Sequence, residues 1–69
     1  MIHIFKTDVH CQQDANKIID ALFKIYPEYI INFDLEDCDN ILRIEGAKIT
    51  TNTIINCLEL FGYQCIELY

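Results

Sequence analysis

The stretch INFDLEDCDNILRIEG, residues 31–46, decides the fold of this chain. Apolar and polar side chains alternate over 29–36 and again over 41–45, which predicts two half-buried strands. The mostly short, polar side chains of 37–40 tolerate tight backbone geometry and predict the turn between the strands. The predicted inward positions are Ile31, Phe33, Leu35, Leu42 and Ile44. The centre of the chain is therefore predicted to be a β-hairpin.

A strand and a helix precede this hairpin. Residues 2–6 alternate and favour a strand, in which we expect His3 and Phe5 to lie on the open face of the sheet. From Asp14 the period changes to that of a helix, and Pro27 ends it because the residue before a proline avoids the helical region. The apolar face of this helix is predicted to comprise Ala15, Ile18, Ile19, Leu22, Ile25 and Tyr26.

A second helix and a last strand follow the hairpin. Thr50 or Thr51 can cap the start of this helix, and Gly62 suits the position just past its end. Residues 63–69 then favour a strand. The inner face of the second helix is predicted to comprise Thr51, Ile54, Ile55, Leu58 and Phe61.

The resulting order is βαββαβ with short connections, in one domain that covers residues 1–69. Two crossovers flank the hairpin, and the economical arrangement is an α+β, ferredoxin-like sandwich: a four-stranded antiparallel sheet with both helices on one face. Following the direction of each element places the loop 8–13, the turn 37–40 and the corner at 62–63 at one end of the molecule.

Composition and charge narrow the classes of partner. The net charge of −6 comes from 11 acidic and 5 basic residues, and it repels nucleic-acid phosphates and anionic lipids, so we expect no nucleic-acid or membrane partner. No apolar run approaches the roughly 20 residues that span a bilayer. Met1 is followed by no export signal, so we expect the 4 cysteines, none in a Cys-x-x-Cys pair, to stay reduced in the cytoplasm.

Three stretches together cover nearly the whole chain: FKTDVHC at 5–11, the hairpin at 31–46, and ITTNTIINCLELFGYQC at 49–65. They resemble the heavy-metal-associated domain, the small module of copper metallochaperones and of the cytosolic tails of metal-pumping ATPases. That family binds its ion through Met-x-Cys-x-x-Cys in the first loop. Cys11 matches the first cysteine, whereas Asp14 stands in place of the second and Val9 in place of the methionine.

The resemblance implies a metal site at Cys11, with Asp14 and His10 as further candidate ligands. Cu(I) is held well by two thiolates and poorly by a carboxylate, whereas Zn²⁺ accepts sulfur, oxygen and nitrogen together. Asp14 has a second interpretation, because a carboxylate in the first turn of a helix is favoured by the helix dipole. Tyr63 corresponds to a corner position that covers the metal loop in relatives, and its alternative role is purely structural.

The other three cysteines have separate expected roles. Cys38 is expected in the exposed turn, where it joins Cys11 only if the turn folds over the loop. Cys57 and Cys65 are expected to pack in the core, since a free cysteine behaves as a small apolar side chain.

Two functions remain open. The first is a metal-binding or metal-transport module with a weakened site, which serves a metal-transporting ATPase or another acceptor. A homodimer through the Cys11 loop would restore a two-thiolate site. The alternative is a metal-free interaction module whose open sheet face, with Phe5 and Ile41, contacts another protein. We expect no enzyme, because the adjacent His10 and Cys11 rarely reach the geometry of a base and nucleophile.

Overall fold

A computed structural model of the chain describes residues 1–36 and 38–68. The elements follow the predicted βαββαβ order: β1 (Ile2–Thr7), α1 (Gln12–Ile25), β2 (Ile30–Asp34), β3 (Ile41–Glu45), α2 (Thr51–Leu60) and β4 (Cys65–Glu67). The four strands form one sheet in the order β2-β3-β1-β4, and every pair is antiparallel. The predicted α+β, ferredoxin-like fold is confirmed.

The core lies between the sheet and the two helices. Its fully buried large side chains come from β1, the loop after it, β3 and both helices: Phe5, Val9, Ile18, Leu22, Leu42, Ile44, Ile54 and Leu58. The inward positions predicted for the hairpin are confirmed, since Ile31, Leu42 and Ile44 are buried while Phe33 and Leu35 pack against the core.

The predicted orientation of β1 is wrong. Phe5 is fully buried instead of lying on the open face, and it stands opposite Leu42 in the register of β1 with β3. His3, two residues earlier, lies on the same side and bonds Glu67. Both faces of this strand carry apolar side chains, so its alternation could not show which one is inward.

The ends of both helical faces also differ from the prediction. Ile25 is 51% exposed and Phe61 is 40% exposed, although both were assigned to apolar faces. The last buried residues are Leu22 in α1 and Leu58 in α2, which lie three and two residues before the ends of these helices. Cys57 joins the core beside Leu58, as expected.

The end of α2 is fixed by backbone geometry at Gly62, whose φ is +86°. The N–H of Gly62 donates to the carbonyl of Glu59 at 2.9 Å, and the N–H of Tyr63 donates to that of Leu58 at 3.0 Å. This pair of bonds is the Schellman arrangement, which needs a left-handed residue after the helix. The prediction for Gly62 is confirmed. Thr50 is the N-cap residue of α2, but its side chain makes no capping bond.

The hairpin turn contains Cys38 and Asp39, whereas Asp37 lies outside the described residues. Asn40 completes it with a φ of +46°, which asparagine tolerates better than most side chains. The last strand is shorter than predicted, with bounds Cys65–Glu67, and Tyr69 also lies outside the described residues.

Candidate functional site

The three segments predicted to meet at one end of the molecule do so. The N–H of Thr7 donates to the carbonyl of Asp39 at 3.2 Å, which joins the start of the first loop to the hairpin turn. The N–H of Gln64 donates to Asp8 Oδ1 at 2.7 Å, which joins the corner after α2 to the same loop. We call this region the loop end.

Thr7 is the buried polar residue at the centre of the loop end, and sequence reasoning did not single it out. Its side-chain hydroxyl donates to the carbonyl of Asn40 at 2.6 Å and accepts the N–H of Val9 at 3.2 Å. Thr7 is only 6% exposed, and Val9 is fully buried. Its role could not be predicted, because His3 and Phe5, which share its side of β1, were expected on the open face. A buried hydroxyl needs such partners.

Asp14 has a partner that neither sequence interpretation included. The hydroxyl of Tyr63 donates a hydrogen bond to Asp14 Oδ2, which ties the corner after α2 to the first turn of α1. This bond is the main cause that raises the pKa of Tyr63 to about 12, followed by burial and by the negative charges of Asp14, Cys11 and Asp8. Asp14 is therefore engaged within the protein.

His10 lies on the surface beside Tyr63. The two rings meet edge to face, with centroids 6.3 Å apart and planes at 75°. Nδ1 of His10 lies 3.3 Å from the backbone carbonyl oxygen of Asp8, and the residue is exposed. The structure thus brings Tyr63, Asp14 and His10 together. Tyr63 is the common partner, since it contacts both the carboxylate of Asp14 and the imidazole of His10.

Cys11 is the N-cap residue of α1 and is half-buried. Its carbonyl accepts the N–H of Ala15 at 2.9 Å, while no side chain caps the helix. The N–H groups of the first helical turn, at 12–14, have no acceptor within the helix by geometry. Cys11 is therefore a half-buried residue that directly precedes backbone N–H groups that favour negative charge.

The other cysteines lie as expected. Cys38 is exposed in the hairpin turn, and Cys57 and Cys65 are buried. Burial raises the pKa of Cys57. Burial also raises the pKa of Cys65, to about 12, with further contributions from the negative charges of Glu67, Asp8 and Glu59. Both core thiols therefore stay protonated near neutral pH.

The predicted ligand set does not fit a closed metal site within one chain. Over residues 1–36 and 38–68, no three His, Cys, Asp or Glu side chains are grouped so that they could hold one ion. Asp14 already accepts the bond from Tyr63, and His10 points to the backbone of Asp8. Cys11 remains a single donor, which would need a second ligand from another molecule.

The surface depression nearest to the loop end is small. It has a volume of about 100 Å³ and is lined by Lys6, Thr7, Asp8, Gln64 and Ile66. Sites for small molecules typically enclose roughly 300–1,000 Å³, so this depression suits a few water molecules better than a substrate.

A different surface is notable on the sheet. The face of the sheet away from the helices, which we call the open face, carries Ile2, Ile4, Lys6, Ile30, Asn32, Asp34, Ile41, Arg43, Glu45, Ile66 and, just past β4, Leu68. Four aliphatic side chains lie side by side at its β1–β4 half, namely Ile2, Ile4, Ile66 and Leu68; we call them the apolar strip. Ile66 is 60% exposed, and Ile2 and Leu68 are each nearly half exposed.

Comparison of the chain with protein-family models, with curated proteins and with solved structures gives no match. Within the described part of the chain, no helix is both long enough and apolar enough to cross a membrane.

Proposed function

We propose that this protein is a non-catalytic binding module of the cytoplasm that contacts another protein through the open face of its sheet. The observation that carries the proposal is the apolar strip. Ile66 on β4 and Ile2 on β1 are large aliphatic side chains that are 60% and 47% exposed, on the side of the sheet away from the core. Grouped apolar side chains on a folded surface mark a contact with a partner.

The arrangement of the strip supports this proposal over one based on the loop end. Ile4 and Leu68 are neighbours, because the N–H of Leu68 donates to the carbonyl of Ile4 at 2.7 Å. Ile66 lies one step along β4, opposite Lys6. These residues therefore present a continuous surface on paired strands. At the loop end, by contrast, Thr7, Asp14 and Tyr63 have bonding partners within the protein.

The proposal is tested by affinity capture with the tagged chain as bait, in an extract of the cell that produces it. Ile66→Glu is the test variant, because it puts a charge into the strip while the new carboxylate faces Lys6 and favours the strand pair. Leu60→Glu is the matched control: Leu60 is 88% exposed on α2 and takes the same added charge. We expect capture by the parent and by Leu60→Glu, and none by Ile66→Glu.

A second candidate function is favoured by the position of Cys11. A half-exposed thiol at an uncapped helix start can supply one thiolate to a soft metal ion, and the resemblance to heavy-metal-associated domains proposes Cu(I) or Zn²⁺ as cargo. The second ligand would come from an acceptor such as a metal-transporting ATPase. Anaerobic titration with each ion should show binding that Cys11→Ser abolishes; equal binding by Cys11→Ser and the parent would remove this candidate.

A further inference from the structure

The occupant of the open face can be inferred from its charge. We propose that a second copy of this chain covers it, so that two sheets stack face to face across a two-fold axis. This inference rests on the proposed function of the same face. Its evidence is the distribution of charge, the size of the face and the position of the apolar strip.

The open face is neutral in a strongly acidic protein. It carries two basic residues, Lys6 and Arg43, and two acidic residues, Asp34 and Glu45. The other nine acidic and three basic residues of the chain therefore carry the whole net charge of −6. Two copies can meet through this face without net repulsion, because it carries both signs of charge in equal number.

A basic protein would be the natural partner of the remaining surface, but it would gain little from the open face. Arg43 already lies 3.9 Å from Glu45, and Lys6 lies 3.6 Å from Asp39, both measured between nitrogen and carboxylate oxygen. These charges are balanced within the chain. The partner that suits the open face is therefore neutral and aliphatic where it makes contact. The open face of a second copy has both properties.

The open face is smaller than one side of a standard interface, so its occupant has to cover the charged half as well as the apolar strip. The two longer extents of the molecule are 27 and 22 Å, so one face presents on the order of 600 Å², less than the ~800 Å² per partner of a standard interface. The strip fills only the β1–β4 half. In a two-fold interface every contact occurs twice, so a face with both signs of charge can pair with itself.

Stacking of two such faces is geometrically ordinary. Sheets pack about 10 Å apart when aliphatic side chains from both inner faces interdigitate. Ile2, Ile4 and Ile66 are β-branched and stand on adjacent strands, which is the composition of such an interface. The Cys11 loop is at the end of the molecule and on the helix side, so this dimer differs from the one through Cys11.

The test is sedimentation velocity under reducing conditions, from about 10 µM to about 1 mM protein. We expect the mass to rise with concentration from 8.1 kDa toward twice that value, and to rise more in salt, which screens the repulsion between the acidic surfaces. Ile66→Glu should remain monomeric throughout. Leu60→Glu, which adds the same charge elsewhere, and Cys11→Ser should dimerise as the parent does.

Three results would overturn the inference: a parent chain that is monomeric at about 1 mM, a dimer that survives Ile66→Glu, or a dimer that Cys11→Ser abolishes. A monomeric parent that still captures a partner in an Ile66-dependent manner would overturn only the second copy and leave the proposed function standing. A parent chain that shows neither self-association nor capture would overturn both proposals.

A measurement on the parent chain alone avoids any dependence on the folding of a variant. Isoleucine methyl NMR signals are compared between dilute and concentrated samples. We expect the methyl signals of Ile66 and Ile2 to shift on concentration and those of the core residues Ile18 and Ile54 to stay unchanged. Unchanged signals from Ile66 would contradict the inference.

Discussion

The hydroxyl of Tyr63 donates a hydrogen bond to the carboxylate of Asp14, across 49 positions of sequence. It joins the corner after the second helix to the first turn of the first helix. Asp14 was predicted to be a candidate metal ligand or a residue favoured by the helix dipole. Its carboxylate joins two segments of the loop end.

The first prediction concerns the ionisation of Tyr63. Its pKa is raised from 10.0 to about 12, so the folded state holds this proton more tightly than the unfolded state does. The corresponding stability is fully present below pH 10 and is lost as the pH rises toward 12. Tyr63→Phe should lose less stability than the parent over this pH range. Urea unfolding at neutral and alkaline pH measures the free energy of unfolding of both chains. Tyrosinate absorbance should show a late-titrating tyrosine that Tyr63→Phe removes.

Asp14→Asn is the companion variant, because it keeps an acceptor of the same shape and removes the charge. We expect Tyr63 to ionise at a lower pH in this variant than in the parent. An unchanged titration of Tyr63 in Asp14→Asn would contradict the assigned cause of the shift.

The second prediction concerns Gly46, which lies against the ring of Tyr29. A Cβ at Gly46 would come within 2.4 Å of Cδ1 of Tyr29, and that ring is itself stacked on Tyr26 at a centroid distance of 4.5 Å. Gly46→Ala should therefore destabilise the protein by roughly 1–3 kcal/mol, measured by urea unfolding.

Gly62 provides the contrast, since a Cβ there meets nothing within 4 Å and only the φ of +86° requires glycine. Gly62→Ala should cost roughly 1–2 kcal/mol, because an L side chain is strained in the left-handed region. Asparagine tolerates that region, so Gly62→Asn should cost less than Gly62→Ala. At Gly46 the order should reverse, and the same order at both sites would refute the distinction.

The third prediction concerns the hydroxyl of Thr7. Thr7→Val keeps the shape of the side chain and leaves the carbonyl of Asn40 and the N–H of Val9 without this partner. We expect a loss of about 1–3 kcal/mol in the free energy of unfolding. Thr7→Ser retains the hydroxyl and should cost less; a larger loss for Thr7→Ser would show that the methyl group matters more than the bonds.

The fourth prediction concerns the thiols. Cys11 and Cys38 are accessible, whereas Cys57 and Cys65 are buried, and burial raises the pKa of both. A thiol reagent at neutral pH should therefore modify the first two rapidly and the core pair only after urea is added. Mass spectrometry of the modified chain identifies the sites. Rapid labelling of Cys65 in the native protein would contradict the described core.

The order of elements and the hairpin could be predicted from the sequence, because the spacing of apolar side chains changes between that of a strand and that of a helix at clear boundaries. Gly62 was predictable for the same reason, since a glycine just after an apolar helix face indicates a left-handed cap. The orientation of β1 was not predictable, because Ile4 and Phe5 offer apolar side chains to both faces. Only the pairing of Phe5 with Leu42 across the sheet decides which face is inward.

The candidate site could be predicted only in part. Chain direction placed Asp8, Asp14 and Tyr63 at one end of the molecule, but sequence separation gives no information on which side chains bond there. The bond from Tyr63 to Asp14 depends on where the corner after α2 lies against α1. Phe5 was assigned to the contact surface and is in the core, whereas Ile66 and Leu68 form part of that surface instead.

The two carboxylate bonds at the loop end also bear on the order of folding. Asp8 and Asp14 bond to Gln64 and Tyr63, which lie 56 and 49 positions later in the sequence. Contacts between such distant positions require a long stretch of chain to be closed first, at a cost in entropy. We therefore expect the loop end to close late in folding, and the free edge of β1 to stay open to other chains until β4 docks on it.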